Sequence, residues 1–295
     1  MTQKEHKAGF VNIIGMPNVG KSTLMNAMVG EKLSIITPKA QTTRHRILGI
    51  LNGDNFQIIY SDTPGLIKPH YKLHKAMIKY IESALEDADI ILLVIDSTND
   101  KVEESFLTSL KNTDKSIVIA INKVDLINDI ELELLTKKWN KEFTEAFIIP
   151  ISALHKANLN ILFNKLIELL PFSPPYFPKD ELTDKSIRFF VSEIIREKIF
   201  LNYHKEVPYC TEVVIERFAE NENPIKINAT IYVARESQKA IILGKGGKAI
   251  KKIGIEARKE IEEMLEKHIY LDLTVKVNKN WRDNLVQLKR LGYDL

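Results

Sequence analysis

The chain has little cysteine, little net charge and no long apolar run, and these absences narrow the class of protein. Cys210 is the single cysteine in 295 residues, which excludes an internal disulfide framework and favours a reducing, cytoplasmic location. No apolar stretch reaches the roughly 18 residues of a membrane-spanning helix, and the N-terminal segment MTQKEHKAG has no signal-peptide core. The formal net charge is only +3, so a nucleic-acid surface would have to be a local patch.

Several kinds of functional cluster are also missing or weak. The sequence contains no recognisable nucleophile triad, no paired catalytic carboxylates and no internal repeat. His70 and His74 have the spacing of two metal ligands on a helix, but HYKLH has no glutamate and no nearby cysteine pair, so we interpret it as a solvated face. Cys210 is expected in a half-buried strand. Trp281 either packs a short tail helix or stacks on a base together with Arg282.

The most informative motif is GMPNVGKS at 15–22, which has the spacing of a phosphate-binding loop. It lies between an apolar run at 10–14 and a helical pattern, the strand-loop-helix context that the motif requires. Backbone N–H groups and the helix N-terminus would hold phosphates, Lys21 would reach the β- and γ-phosphates, and Ser22 would ligate Mg²⁺. The nucleotide contacts expected along this loop are Gly15, Asn18, Val19, Gly20, Lys21, Ser22 and Thr23.

A second motif, DTPG at 62–65, follows the apolar run at 56–60. Asp62 at the end of that strand would hold Mg²⁺, as a Walker-B aspartate does. The Gly65 N–H would bond the γ-phosphate and so sense hydrolysis. DTPG alone would be an ordinary turn, but after a phosphate-binding loop it indicates a magnesium site.

A third motif, NKVD at 122–125, follows the apolar run at 117–121 and predicts base selection. Ligands of open α/β sheets bind at the carboxyl ends of strands. Asp125 would accept from guanine N1–H and N2–H, a donor pair that adenine lacks. Asn122 would bond the base and brace the loop, and the Lys123 stem would lie along the ring. After the strand at 147–151, the SAL segment (Ser152, Ala153, Leu154) would present a backbone N–H to guanine O6.

The chain is expected to fold into two domains, an α/β domain followed by a smaller α+β domain. Residues 8–170 alternate apolar strands with helical patterns, which is typical of a doubly wound, mostly parallel sheet. The segment 171–185 carries Pro171, Pro174, Pro175 and Pro178 and predicts a semi-rigid extended linker. From 186 to 295 the pattern changes to α-β-β-α-α-β with a tail helix, a smaller α+β domain.

The second domain has features of an RNA-binding module. GKGG at 244–247 lies between two predicted helices, where a KH domain has its G-x-x-G loop, and such a domain takes about four unpaired nucleotides. From 239 to 252 the chain has lysines but no acidic residue. Ile241, Ile242 and the facing strand would form the apolar wall of the groove. The expected RNA contacts are Ile242, Gly244, Lys245, Gly246, Gly247, Lys248, Lys251 and Lys252.

Together these motifs resemble the bacterial Era family, with a TrmE-Era-EngA-type G domain and a C-terminal type II KH domain. Further segments that carry the resemblance are KAQTTRHRILGI at 39–50, EVPY at 206–209, LGKGGKAIKKIG at 243–254 and NWRDN at 280–284. The resemblance covers essentially the whole chain. It implies a GTP-regulated assembly factor for the small (30S) ribosomal subunit, whose KH module binds the 3′ end of 16S ribosomal RNA. It also implies peripheral contact with the inner membrane, and we expect a monomer.

The resemblance and the residues also predict how GTP is hydrolysed. Switch I would span 37–46 and switch II 64–75, with Thr43 closing over Mg²⁺ and the γ-phosphate as the QTTR match implies. The catalytic set is then Lys21, Thr43, Asp62 and Gly65. Leu66 stands where some GTPases have a water-orienting glutamine, so intrinsic turnover should be slow. Related GTPases use K⁺ held by the asparagine that corresponds to Asn18.

Two other functions fit the same motifs. The first is a GTP-dependent RNA clamp whose hydrolysis serves only as a timer. The second is a membrane-associated signalling GTPase with an incidental basic patch. RNA-stimulated turnover would argue against the clamp, and RNA binding that depends on GKGG would argue against the signalling protein.

Overall fold

The computed structural model describes residues 6–293, so the predicted domain end at 295 lies outside the described part of the chain. The chain divides into two compact units. The first comprises Met1–Ser34, Thr43–Lys68 and Met77–Asp184, and the second comprises Ile35–Thr42, Pro69–Ala76 and Lys185–Leu295. Both predicted switch segments therefore contribute residues to the second unit.

The first unit is built on a six-stranded sheet in the order β2-β3-β1-β4-β5-β6. The strands are β1 Lys7–Ile14, β2 Ile47–Asn52, β3 Phe56–Asp62, β4 Ile90–Asp96, β5 Ser116–Asn122 and β6 Phe147–Pro150. Only the edge strand β2 is antiparallel to its neighbour. The predicted doubly wound, mostly parallel sheet is confirmed. Strand β4 is buried at every position because helices cover both faces of such a sheet.

Helices connect the parallel strands, as the right-handed crossover of such sheets requires. They are α1 Lys21–Val29, α2 Lys72–Asp87, α3 Glu104–Lys111, α4 Asp129–Glu142 and α5 Leu159–Leu169. Helix α4 begins with a capping box in which Asn128 and Glu131 exchange side-chain and backbone hydrogen bonds. This topology brings the loops that follow β1, β3, β5 and β6 to the carboxyl edge of the sheet, where ligands bind.

The proline-rich segment, predicted to be an extended linker, is hydrogen-bonded along the first unit. The amide of Gln57 is completely buried. Its Oε1 accepts from the N–H groups of Tyr176 (2.7 Å) and Phe177 (3.0 Å), and its Nε2 donates to Asn52 Oδ1 (2.7 Å) and to the Phe177 carbonyl (2.9 Å). All four hydrogen bonds of the amide are made, so this stretch is fixed to the sheet.

The same segment covers the free edge of the sheet. Ile50 N–H donates to the Leu182 carbonyl at 2.8 Å, and Leu48 N–H donates to Asp184 Oδ1 at 3.0 Å. An open edge strand is a template for unwanted pairing, and this segment occupies it. The first unit accordingly extends to Asp184.

The second unit has the predicted order of elements. They are α6 Ile187–Asn202, β7 Glu212–Ala219, β8 Ile225–Val233, α7 Glu236–Leu243, α8 Lys248–Leu265, β9 Ile269–Val277 and α9 Leu285–Arg290. The sheet order is β7-β8-β9, with β7 antiparallel and β9 parallel to β8. The parallel pair needs the α7-α8 crossover, and this crossover places the GKGG turn between two helices.

Buried polar groups are paired inside this unit. Arg196 is 1% exposed and donates to both carboxylate oxygens of Glu193. Trp281 is completely buried and its indole N–H donates to the Cys210 carbonyl at 3.1 Å, so the packing alternative for Trp281 is the one observed. The prediction that Cys210 lies in a half-buried strand is wrong. Cys210 is buried in a short 3₁₀ helix, Pro208–Cys210, because this turn packs under Trp281.

No helix among residues 6–293 is long and apolar enough to cross a bilayer.

Replacing Gln57 by leucine tests the attachment of the proline-rich segment. The change leaves two backbone N–H groups and one carbonyl without their buried partner, so we expect a loss of about 2–4 kcal/mol in the free energy of unfolding. Chemical denaturation of the full chain measures it. Asn140→Leu, the same kind of change at an exposed helix position, is the control and should shift stability by less than about 0.5 kcal/mol. Equal free energies of unfolding for Gln57→Leu and the parent chain would show that Gln57 does not hold the segment.

Candidate nucleotide site and nucleic-acid interface

The phosphate-binding loop turns tightly between β1 and α1, where glycine is required. Gly20 has φ 99°, and a Cβ there would overlap Nδ2 of Asn122. A Cβ on Gly15 would overlap the carbonyl of Val94 on the neighbouring strand. Val19 is buried, Thr23 is half-buried on α1, and Asn18 is exposed with φ 63°. The loop therefore lies against the strand ends with its backbone close to the base-binding loops.

Lys21 is buried and folds back over its own loop. Its Nζ donates to the carbonyls of Gly15 (3.0 Å) and Met16 (2.9 Å). Burial lowers the pKa of Lys21 to about 8, and the charge of Asp62 opposes that shift. An ammonium held this way gains anionic partners when phosphates arrive, so the site is prepared for a polyanion.

Three oxygen-bearing side chains converge beside Lys21. Ser22 Oγ donates to Asp62 Oδ2 at 2.6 Å, Thr43 Oγ1 lies 3.3 Å from the same oxygen, and the two hydroxyls are 3.0 Å apart. Burial raises the pKa of the Asp62 carboxyl, while the hydrogen bond from Ser22 and the charge of Lys21 lower it.

The other oxygen of Asp62, Oδ1, is buried and has no hydrogen-bond partner among residues 6–293. A carboxylate with one unsatisfied oxygen and two hydroxyls beside it is the donor set that a hard cation prefers. The residues predicted for Mg²⁺ (Ser22, Thr43 and Asp62) are thus brought together, and they fit the ion.

The DTPG turn lies directly against the phosphate-binding loop. A Cβ on Gly65 would meet Pro17 backbone atoms at 2.8 Å, and Leu66 N–H donates to the Gly15 carbonyl at 3.2 Å. Thr63 Oγ1 donates to the Ile13 carbonyl at 2.8 Å and anchors the turn to β1. Gly65 is therefore beside the loop that would carry the terminal phosphates.

The base-binding loops are joined by one buried amide. Asn122 is 2% exposed; its Nδ2 donates to the Val19 carbonyl at 2.8 Å, and its Oδ1 accepts from Ala153 N–H at 2.9 Å. One side chain thereby ties the phosphate loop, the NKVD loop and the SAL loop together. Ser152 is buried, whereas Leu154 is 73% exposed at the rim of this site.

Lys123 has a partner that sequence analysis missed. Its Nζ pairs with Asp96 Oδ2 at 2.5 Å, and Ser97 Oγ donates to the Lys123 carbonyl at 2.7 Å. Burial opposes ionisation of Asp96, but hydrogen bonds from Lys123 and Thr98 prevail and lower its pKa. Asp96 ends β4 next to Asn122 on β5, so a carboxylate at the end of a buried strand was the available signal.

The GKGG turn of the second unit leaves open space around its backbone. Gly246 (φ 61°) and Gly247 (φ 74°) are left-handed, and a Cβ on either would meet nothing within 4 Å. At Gly244 a Cβ would meet the Ala249 Cβ at 2.6 Å, so this glycine is needed for packing. The lysines at 245, 248, 251 and 252 are exposed, and α8 begins immediately after the turn. An approaching phosphate backbone would find both space and positive charge there.

The predicted apolar wall of the groove needs a correction. Ile242 is completely buried in the core of the second unit, so its side chain cannot touch a ligand, whereas Ile241 is 47% exposed. The residue is buried because α7 turns that face toward the sheet. A groove of about 260 Å³ instead lies between α8 and β9. Helix α8 contributes Ile250, Lys251, Gly254, Ile255 and Arg258, and strand β9 contributes Leu271 and Leu273.

The prediction of a solvated face holds for one member of the histidine pair only: His70 is exposed, and His74 is buried. His74 is 6% exposed, and its Nδ1 accepts from the His70 N–H at 3.2 Å. It is buried because the N-terminal end of α2 packs inside the second unit. Among residues 6–293 there is no group of three or more His, Cys, Asp or Glu side chains that could hold a metal ion.

Comparison with known proteins matches both parts of the chain. Residues 10–123 match the family described as 50S ribosome-binding GTPase, and residues 206–282 match the KH domain family. The chain is 46% identical to GTPase Era of Caldicellulosiruptor saccharolyticus over 98% of both chains. It is 43% identical to GTPase Era of Geotalea daltonii over 100% of both.

Two solved structures have the same fold over nearly the whole chain. Era in complex with MgGDPNP and nucleotides 1506–1542 of 16S ribosomal RNA superimposes with a TM-score of 0.94 at 40% identity, covering 98% of this chain and 100% of that one. A variant of Aquifex aeolicus Era bound to GDP·AlF₄⁻ superimposes with a TM-score of 0.91 at 38% identity, with the same coverage.

The lowered pKa of Lys21 predicts how nucleotide affinity depends on pH. Phosphates favour the ammonium, so the bound form has a higher pKa than the free site, and above about pH 8 binding must take up a proton. We expect GDP affinity to fall about fivefold between about pH 8 and 9. Titration calorimetry measures it.

The control for this prediction is Lys21→Arg, because a guanidinium does not titrate in this range. Whatever the absolute GDP affinity of this variant, the affinity should not fall through loss of the Lys21 proton between about pH 8 and 9. A fall of the same size in the arginine variant would assign the pH dependence to another group.

Proposed function

The chain belongs to the Era family of GTPases, and on that premise we propose that it assists assembly of the small ribosomal subunit by binding 16S ribosomal RNA near its 3′ end under the control of GTP. It hydrolyses GTP to GDP and phosphate, and its ligands are the guanine nucleotide and Mg²⁺. The observation that carries the proposal is the presence in one chain of the joined nucleotide loops and the open GKGG turn.

In this proposal the phosphate subsite neutralises the charge of the transferred phosphoryl group. Lys21 leaves the Gly15 and Met16 carbonyls and donates to the β- and γ-phosphates. Ser22, Thr43 and Asp62 hold Mg²⁺, which supplies Lewis-acid stabilisation of the phosphate oxygens when bound. The Gly65 N–H donates to the γ-phosphate. Each group stabilises charge that grows along the reaction, so the site lowers the barrier mainly by positioning and electrostatics.

Hydrolysis without an activator should be slow. Leu66 follows Gly65, and its side chain packs against an apolar cluster of the first unit. An alkyl side chain can neither orient nor polarise the attacking water. Ras-like GTPases without the arginine finger of an activating protein turn over at about 10⁻⁴–10⁻³ s⁻¹, and we expect a rate of this order. RNA or the ribosomal subunit then acts as the activator, which distinguishes the protein from a passive clamp.

RNA binding is assigned to the turn and the groove together. Lysines on the turn and on the first turns of α8 contact phosphates, and the open backbone of Gly246 and Gly247 allows close approach. Unstacked bases lie in the groove between α8 and β9, on Ile255, Leu271 and Leu273, with Arg258 at its side. RNA binding itself is supported by the similar structure, with a TM-score of 0.94, that holds nucleotides 1506–1542 of 16S ribosomal RNA.

Coupling between GTP and RNA is carried by the switch segments. Lys39 donates its Nζ hydrogens to the Phe200 and Tyr203 carbonyls at the C-terminal end of α6, and Ile36 N–H donates to Glu197 Oε1 at 3.3 Å. In the same unit, Arg282 lies 4.2 Å from the ring centre of Tyr71.

These contacts place residues of both switches in the compact unit that carries the GKGG turn. Thr43, a switch I residue that directly follows the Ile35–Thr42 piece of this unit, lies beside Ser22 and Asp62. Mg-GTP that holds Thr43 therefore biases the segment that α6 also holds. RNA should in turn raise the affinity for GTP by the same factor.

On the family resemblance we also propose a cytoplasmic location, peripheral contact with the inner membrane and a monomeric state. The alternative function is that of a membrane-associated signalling GTPase. Loss of RNA binding with intact vesicle binding in the variant below would separate the two activities.

The double variant Gly246→Asp, Gly247→Asp tests the RNA interface. Two carboxylates would repel the phosphate backbone and strain left-handed positions, so we expect at least a tenfold loss of affinity, about 1.4 kcal/mol, for the 3′-terminal segment of 16S ribosomal RNA. Filter binding with GDP and with a non-hydrolysable GTP analogue measures it, and the analogue should bind RNA more tightly.

Gly292→Asp is the matched control, because Gly292 also has a positive φ (84°) and open space around its Cβ position. It should bind RNA like the parent chain. An unchanged affinity in the double variant would remove the RNA interface from GKGG, and equal affinities with GDP and the analogue would remove the coupling.

We propose that Asn18 holds a K⁺ ion beside the phosphates, since Leu66 supplies no polar group. GTP turnover should then rise several-fold when potassium replaces sodium, and Asn18→Ala should abolish the difference. Asn158→Ala, a second asparagine with positive φ (59°), is the control and should keep it. Equal turnover of the parent chain in the two salts would exclude the ion.

A further inference from the structure

The carboxylate assigned to guanine recognition has one ion-pair partner. Asp125 Oδ2 lies 3.7 Å from His155 Nε2, and within the part of the chain that the structure describes no other cationic side chain pairs with Asp125. The neighbouring lysine of the same motif, Lys123, is paired with Asp96 instead. The contact with His155 therefore links Asp125 to the loop that follows β6.

That loop holds His155 in place through its own hydrogen bonds. Ser152 and Ala157 exchange two backbone hydrogen bonds, of 3.2 Å and 3.0 Å, and so close a short turn. Inside the turn, the His155 N–H donates to Ser152 Oγ at 3.3 Å. The Ala153 N–H donates to Asn122 Oδ1 and so attaches this turn to the NKVD loop. The backbone of His155 is consequently positioned against the base-binding loop before any nucleotide arrives.

The chemistry of a carboxylate allows His155 and a base to bind it together. Each oxygen has two lone-pair positions, and guanine N1–H and N2–H use one on each oxygen. The second position of Oδ2 stays available to an imidazole N–H. A donor there stops the carboxylate from rotating away from the plane of the base, and a protonated imidazole does so more strongly than a neutral one.

We propose that His155 is a positioning residue for guanine recognition, which holds Asp125 Oδ2 so that both carboxylate oxygens face the base. The inference rests on the proposed role of Asp125 in reading guanine. His155 is 63% exposed at its side chain, so its contribution is that of an exposed pair, a two- to fivefold change in base preference. Other charges that face the turn are Asp125, the Lys123–Asp96 pair and the exposed Lys156.

The ratio of GDP affinity to inosine diphosphate affinity isolates this effect. Hypoxanthine lacks the N2 amino group but carries the same diphosphate, so titration of the phosphates cancels in the ratio. In the parent chain the ratio should favour GDP, because Asp125 held toward the base accepts from both N1–H and N2–H. His155→Ala should lower the ratio two- to fivefold.

Two further variants at the turn make the readout specific. His155→Gln keeps a neutral donor, so it should retain part of the ratio that His155→Ala loses. Lys156→Gln removes a neighbouring positive charge from the same turn and should leave the ratio unchanged. An identical ratio in the parent chain and His155→Ala would overturn the proposal.

An Asp125→Asn background separates failure of this inference from failure of the proposed base site. An amide in place of the carboxylate should switch preference from GDP to xanthosine diphosphate, whose O2 is an acceptor. An unchanged preference would remove Asp125 from base recognition altogether. If the preference switches, adding His155→Ala should leave the xanthosine diphosphate affinity unchanged; a two- to fivefold loss there would show that His155 acts without Asp125.

Discussion

The nucleotide site depends on the buried amide of Asn122. Its two hydrogen bonds join the phosphate-binding loop at Val19 to the SAL loop at Ala153, and its own backbone carries the NKVD loop. Phosphate and base subsites are thereby held at one separation, set by the register of neighbouring parallel strands. If these loops bind phosphate and base as proposed, their fixed separation would let binding energy from the base contribute at the phosphates.

The same site carries charge that its own residues do not fully satisfy. Lys21 is held by carbonyls of its own loop, and within the described part of the chain Asp62 Oδ1 is buried with no hydrogen-bond partner. Such groups destabilise the protein alone and would be compensated by a bound cation and phosphates. We therefore expect the stability of this fold to be linked to nucleotide binding.

Local pattern was enough to predict most elements and motifs. Continuous apolar runs, alternation and helical spacing predicted the order of strands and helices along the chain, because fully buried strands are apolar throughout and half-buried elements bury one face. The failures concern burial set by distant residues: Ile242 faces the core, His74 packs inside the second unit, and Cys210 lies beneath Trp281. The roles of Asp96 and Gln57 depend on contacts across the chain, which no local spacing reveals.

The chain passes between its two compact units at 34–35, 42–43, 68–69, 76–77 and 184–185. Neither unit is therefore a continuous gene segment. A fragment cut after the proline-rich stretch would lack Lys39, which caps the C-terminal carbonyls of α6, and Tyr71, on which Arg282 stacks. Recombination at the proline-rich segment would therefore transfer the RNA-binding residues after 184 without Lys39 and Tyr71, and the contacts that these two residues make would be lost.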